Sequence, residues 1–174
     1  MDCRICSGWG AHLVRVRSAV WLEETARRAV HHLKYEGWWR VAEAMAAAMA
    51  GLDPLTGRVS LIPVPLGARR ARSRGYNQSE RIAEALGRLT GAPVRGRVLS
   101  RVRETRTQTA LTPEERQANL DGAFAARSAE GLDAVLVDDV FTTGATLVAA
   151  AAALRAGGAA RVEAVTFARA VEPV

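Results

Sequence analysis

Lysine is almost missing from this chain: of 24 basic residues in 174, only Lys34 is a lysine and the other 23 are arginines. Cysteine is nearly as scarce, with Cys3 and Cys6 alone. Two thiols three positions apart cannot build a disulfide framework, so they read as half of a metal knuckle or as a redox pair. Long apolar runs are lacking too. The longest, residues 44–52 and 147–154, fall well short of the ~18 residues a membrane span needs. No apolar signal core follows the N-terminus, and the default expectation is a cytosolic protein. Internal repeats, low-complexity tails and linker-like stretches are also missing.

What is present is an ordinary globular balance of 49% hydrophobic and 24% charged residues, which excludes a disordered or collagen-like chain. The length suits one domain with a real core. Alanine fills about a fifth of the sequence. The net charge is +6 and the pI about 10.5, a balance that fits phosphate-bearing partners or nucleic acid, or simply an arginine-rich solvated surface.

Hydrophobic periodicity switches between 2 and 3.6, the mark of an α/β chain. Residues 13–22 alternate as a strand. Leu22, Ala26, Ala29, Val30 and Leu33 then line one helix face up to Gly37. A second helix is expected over 38–50 and a short apolar strand over 59–64. Residues 67–75 read as an arginine-dense loop. Asn77 or Ser79 is placed to cap a helix with Ile82, Ala85, Leu86 and Leu89 inside. Residues 95–111 show no clean period, and Thr112-Pro113-Glu114-Glu115 reads as a helix start. A buried parallel strand is expected over 134–137, a helix over 146–156 and a last strand over 161–168.

The densest chemistry lies in residues 134–146, where an apolar strand runs into Asp138-Asp139 and then Thr142-Thr143-Gly144-Ala145-Thr146 at a helix start. The carboxyl end of such a strand opens a ligand crevice. Backbone amides and threonine hydroxyls at the positive end of a helix suit a phosphate, and Gly144 permits close approach or a positive φ. Asp138 and Asp139 suit a vicinal ribose diol, directly or through a divalent ion. The pattern predicts a site for a phosphorylated sugar.

These thirteen residues resemble the phosphoribosyl-diphosphate (PRPP) motif of type I phosphoribosyltransferases. Further stretches extend the resemblance to the ComF/GntX family, whose name comes from a competence protein of DNA uptake. They are Leu33-Lys34-Tyr35-Glu36-Gly37, Ile62-Pro63-Val64-Pro65-Leu66 and Arg72-Ser73-Arg74-Gly75-Tyr76-Asn77-Gln78-Ser79. Arg106-Thr107-Gln108-Thr109-Ala110-Leu111, Asn119-Leu120-Asp121-Gly122-Ala123-Phe124 and Phe167-Ala168-Arg169 complete the set.

The resemblance implies a type I phosphoribosyltransferase-like fold over residues 13–174. Its central, mostly parallel sheet is flanked by helices, with a small N-terminal helical and strand extension and a Cys-x-x-Cys segment over 1–12. It implies that Asp138 and Asp139 hold the ribose hydroxyls and that Thr142, Thr143, Gly144, Ala145 and Thr146 hold the 5′-phosphate. The turn from Pro65 through Leu66 and Gly67 to Arg69 would face the diphosphate. Arg103 and Arg106 would lie on a flexible loop that closes where charge develops on the leaving group. Magnesium would accompany PRPP, and DNA-uptake proteins or single-stranded DNA would be partners, without membrane insertion. The acceptor and a general base stay unnamed. The family carries two Cys-x-x-Cys pairs as a zinc knuckle. Here Cys3 and Cys6 supply half of such a site, so no stoichiometric zinc is expected. Trp38 and Trp39 read as core and rim of the N-terminal helices. His31 and His32 read as ordinary helix residues without a partner at metal spacing.

Overall fold

In the computed structural model, residues 11–103, 120 and 122–170 are described. Strand β1 (Val16–Trp21) leads through helices α1 (Glu24–Tyr35) and α2 (Val41–Met49) and a 3-10 turn (Asp53–Leu55) to β2 (Ser60–Pro63). Helices α3 (Ala68–Arg74) and α4 (Gln78–Thr90) follow, then the short strands β3 (Leu99–Arg101) and β4 (Phe124–Ala126). Strand β5 (Asp133–Phe141), helix α5 (Ala145–Ala156) and strand β6 (Arg161–Arg169) complete the order.

The main sheet has the order β1-β6-β5-β2 with every pair parallel. Its inner strands are mostly apolar because both faces are covered, with Glu163 and Thr166 of β6 and the acid pair of β5 as the polar interruptions. Alternation divides each run. Ile62, Ala134, Leu136, Val162 and Ala164 pack with α5, β3 and β4 on one face. Leu61, Val135, Val137, Val165 and Phe167 pack with α1, α2 and α4 on the other. The N-terminal elements therefore belong to the same body: β1 closes one sheet edge against β6, and α1 and α2 roof one face. At the opposite edge the 93–95 strip runs beside β2, through Leu61 N–H to Pro93 O and Arg95 N–H to Leu61 O, both 2.9 Å.

Three expectations change. The arginine-dense stretch expected as a loop is helix α3. Gly67 enters it extended, and Gly75 ends it in the left-handed region at φ 77°, its amide bonded to Ala71 O. Alanine and arginine are good helix formers, but α3 buries no residue, so no apolar stripe betrays it. Strand β5 runs through the acid pair to Phe141, because β6 continues the ladder with Asp138 opposite Thr166 and Phe141 opposite Arg169. Finally, β3 pairs antiparallel with β4 across the aperiodic stretch.

Candidate active site

Parallel pairing sends the chain out of β2 and β5 at the same end of the sheet. From β2 it turns to α4 on one face; from β5 it turns to α5 on the other. A crevice opens where neighbouring connections part in this way. Asp138 and Asp139 stand there, near the end of β5.

The turn after β5 is short. Gly144 adopts φ 80° and caps α5, and among the described residues no side-chain cap bond occupies the helix start. The first N–H groups of α5 are therefore open to an anion, reinforced by the helix dipole. Asp138, Thr142, Thr143, Gly144, Ala145 and Thr146 line one small concavity. Asp138 thus shares a concavity with the 142–146 turn, whereas Asp139 is buried against Lys34.

Asp139 is 3% exposed and pairs with the ammonium of Lys34, which the end of α1 delivers. Gln78 Nε2 also approaches Asp139 Oδ1, at 3.5 Å. Asp138 Oδ1 accepts from Ser79 Oγ at 2.8 Å and from the Asp139 amide at 2.9 Å. Burial and then the neighbouring Asp139 charge push the Asp138 carboxyl up to about 7, against the lowering pull of Ser79 and Lys34. The pair therefore holds one carboxylate neutralised by a lysine beside one carboxyl that titrates near neutrality.

The support for these groups is a chain of contacts between α1, α3 and α4. Asn77 caps α4 by accepting from Ser79 N–H at 3.1 Å, and its Nδ2 donates to Val64 O at 3.0 Å. That double bond ties the first turn of α4 to the end of β2. Tyr76 donates its hydroxyl to Leu33 O, Arg74 donates to Gln78 Oε1, and the Arg74 guanidinium lies 5.4 Å from the centroid of the Tyr35 ring. Burial pushes the Tyr76 phenol up, in keeping with a neutral hydroxyl donor. Beside the acid pair, Lys34, Tyr35, Gly37, Arg70, Ser73 and Arg74 line a cavity of about 330 Å³.

Leu66 and Gly67 form the turn after β2, and Arg69 belongs to the first turn of α3 rather than to that turn. Arg103 lies just beyond β3, exposed, with its amide 3.4 Å from Ala123 O. Arg106, Cys3 and Cys6 lie outside the described residues, as does most of the expected closing loop.

Residues 63–173 match the phosphoribosyl transferase domain family. The chain belongs to that family. Among its relatives, the DNA utilization protein YhgH of Salmonella typhi is 37% identical over 145 residues, covering 77% of this chain and 63% of the relative. Competence protein F of Haemophilus influenzae is 36% identical over 115 residues, 64% of this chain and 50% of that protein. Competence protein ComFC of Bacillus subtilis is 29% identical over 180 residues, 96% of this chain and 72% of that protein. These names agree with the ComF resemblance. The chain spans 63% of the length of the YhgH relatives it matches.

Lys34, Gln78 and Ser79 stand against the acid pair, and the pattern of residues 134–146 does not single them out. They reach the acids from 105, 61 and 59 positions away. One signal did exist: Lys34 is the only lysine in an otherwise all-arginine complement. Trp38 and Trp39, expected as core and rim, are 56% and 53% exposed.

Proposed function

We propose that this chain binds PRPP with magnesium at the carboxyl end of β5 and transfers the phosphoribosyl group to an acceptor, releasing pyrophosphate, in a process tied to DNA uptake. The observation that carries the reading is the position of Asp138 beside the first turn of α5, in the crevice between β5 and β2, with Asp139 next to it against Lys34. Acceptor-only oxygens and open amides are complementary to a diol and a phosphate.

In this reading Asp138 and Asp139 hold the ribose hydroxyls, and the 142–146 turn holds the 5′-phosphate through its amides and threonine hydroxyls. Leu66, Gly67 and Arg69 face the diphosphate, and Arg103 and Arg106 neutralise charge that grows as it leaves. The bond from C1′ to the diphosphate oxygen breaks, and a bond from C1′ to the acceptor forms on the opposite face. The donor set fits magnesium: carboxylate oxygens are hard ligands, and the hydrogen bonds to Asp138 from described residues fall on Oδ1 alone. When bound, magnesium would act as a Lewis acid on the departing diphosphate. Lys34, Arg70 and Arg74 give the neighbouring cavity a cationic lining suited to an anionic group.

The deciding experiment measures magnesium-dependent PRPP binding and pyrophosphate release. Both should disappear in Asp138→Asn/Asp139→Asn. A wild-type chain that binds no PRPP overturns the reading.

A second reading, a non-catalytic PRPP-responsive adaptor that meets single-stranded DNA, draws on the exposed arginines of α3 and on the relatives' names. Under it PRPP binds without turnover, and DNA binding weakens steeply with salt.

A further inference from the structure

We propose that His31, His32 and Glu36, at the carboxyl end of α1, form a binding site for a zinc ion, separate from the acid pair. One ligand atom from each residue lies within 4.8 Å of the other two. His31 Nδ1 stands 3.2 Å from Glu36 Oε1, and His32 Nδ1 stands 2.8 Å from Glu36 Oε2.

The end of the helix builds this arrangement. Gly37 adopts φ 70°, and the amides of Glu36 and Trp38 both return to His32 O, at 3.2 and 3.4 Å. That closure folds Glu36 back over the last helical turn, so its carboxylate meets both imidazoles. The His32 ring is also held from the far side: the Trp38 ring stacks on it at 4.6 Å with 14° between planes. His32 Nδ1 is sealed from water and makes no aligned hydrogen bond, although Glu36 lies beside it. A ligand atom is thus positioned and dry, with a carboxylate oxygen as its neighbour.

Two imidazoles are borderline ligands that, joined by one hard carboxylate, favour zinc, nickel or copper over magnesium or calcium. At zinc–ligand distances of about 2.0–2.2 Å, tetrahedral ligand atoms sit roughly 3.4 Å apart. The 3.2 Å contact of His31 with Glu36 Oε1 is close to that spacing, and the 2.8 Å contact of His32 with Glu36 Oε2 would lengthen as the ion takes its place between them. His31 is 60% exposed at its side chain, which leaves the fourth position to water. The expectation that these histidines lack a partner at metal spacing is therefore replaced: Glu36 is that partner, brought in by the turn at Gly37. Lys34 lies on the same turn, so an ion here would also steady the lysine that reaches Asp139.

The test titrates untagged, metal-stripped full chain with zinc against a chromophoric chelator, in a Cys3→Ser/Cys6→Ser background that removes thiolate binding. One equivalent should bind, and His32→Ala and Glu36→Gln should each weaken it at least tenfold without changing the far-ultraviolet circular dichroism. Copper(II), as a second probe, should quench tryptophan emission, and Trp38→Phe should remove that quenching while folding is unchanged. No zinc binding in the cysteine-free background overturns the proposal. So does binding that His32→Ala and Glu36→Gln leave intact.

Discussion

Asp138 gains its raised pKa from burial and from Asp139, and that shift carries a sign for stability. Between about pH 4, where an unfolded aspartate titrates, and pH 7, the native chain holds a proton the unfolded chain has released. This contribution is complete below the unfolded pKa and is lost as pH rises through the folded one. Asp138→Asn keeps an oxygen to accept from Ser79 and from the Asp139 amide but carries no charge. It should flatten the loss of stability between pH 4 and 7 and raise the Tm at pH 8 by several degrees, measured by thermal melts across pH. The same titration predicts that magnesium-PRPP affinity rises from pH 6 to 8, because binding to the ionised pair expels the proton; calorimetry in buffers of different ionisation enthalpy reads that release. Lys34 is the complementary case. Lys34→Met leaves Asp139, 3% exposed, without its cation, and should cost about 3 kcal/mol in urea unfolding at pH 7.

At the scale of elements, α4 must do two things at once, begin at the site and pack against the sheet edge. Its start depends on Asn77, which both caps the helix and holds Val64 O. Asn77→Ala should cost about 1–2 kcal/mol and lower PRPP affinity as well, since Gln78 and Ser79 lose their anchor. Its far end depends on Gly87. A Cβ there would stand 2.8 Å from Val94 Cγ2 and 3.0 Å from Ala92 O. Alanine is the better helix former by ~1 kcal/mol, yet Gly87→Ala should destabilise by about 1–2 kcal/mol, because the 93–95 strip must retreat from β2. Chemical denaturation of the two variants distinguishes the cases: only Asn77→Ala should also alter ligand binding. Helix α3 shows a different economy of design, a short exposed segment held by its two glycines and carrying Arg69, Arg70, Arg72 and Arg74 at the mouth of the crevice.

For the whole molecule, the sheet is the common wall of two apolar clusters, and the site lies where connections part to opposite faces. Ligand bound across β2, β5, α4 and α5 should therefore stabilise both halves together. At a hundred times its Kd, magnesium-PRPP should add about 2.7 kcal/mol and shift the single thermal transition upward, an effect absent from Asp138→Asn/Asp139→Asn. Pyrophosphate without ribose should give a smaller shift, since it leaves the acid pair unengaged.

Strand and helix order was legible because the inner strands are mostly apolar on both faces and α1 and α4 carry clear stripes at helical spacing. The turn proposed to hold a phosphate was legible as a turn because its residues are contiguous: acids, small hydroxyls and a glycine within nine positions, 138–146. Helix α3 was not, since a helix that buries nothing leaves no periodicity to read. The end of β5 was not, because only a partner strand and a half-buried lysine make two acids tolerable in a ladder. The partnership of Glu36 with His31 and His32 waited on the left-handed turn at Gly37. By itself, then, the sequence determined the alternation of elements and the local anion turn, both products of neighbouring residues. The tertiary structure alone decided which distant side chains satisfy the acids, because burying a charge requires a partner that only packing can deliver.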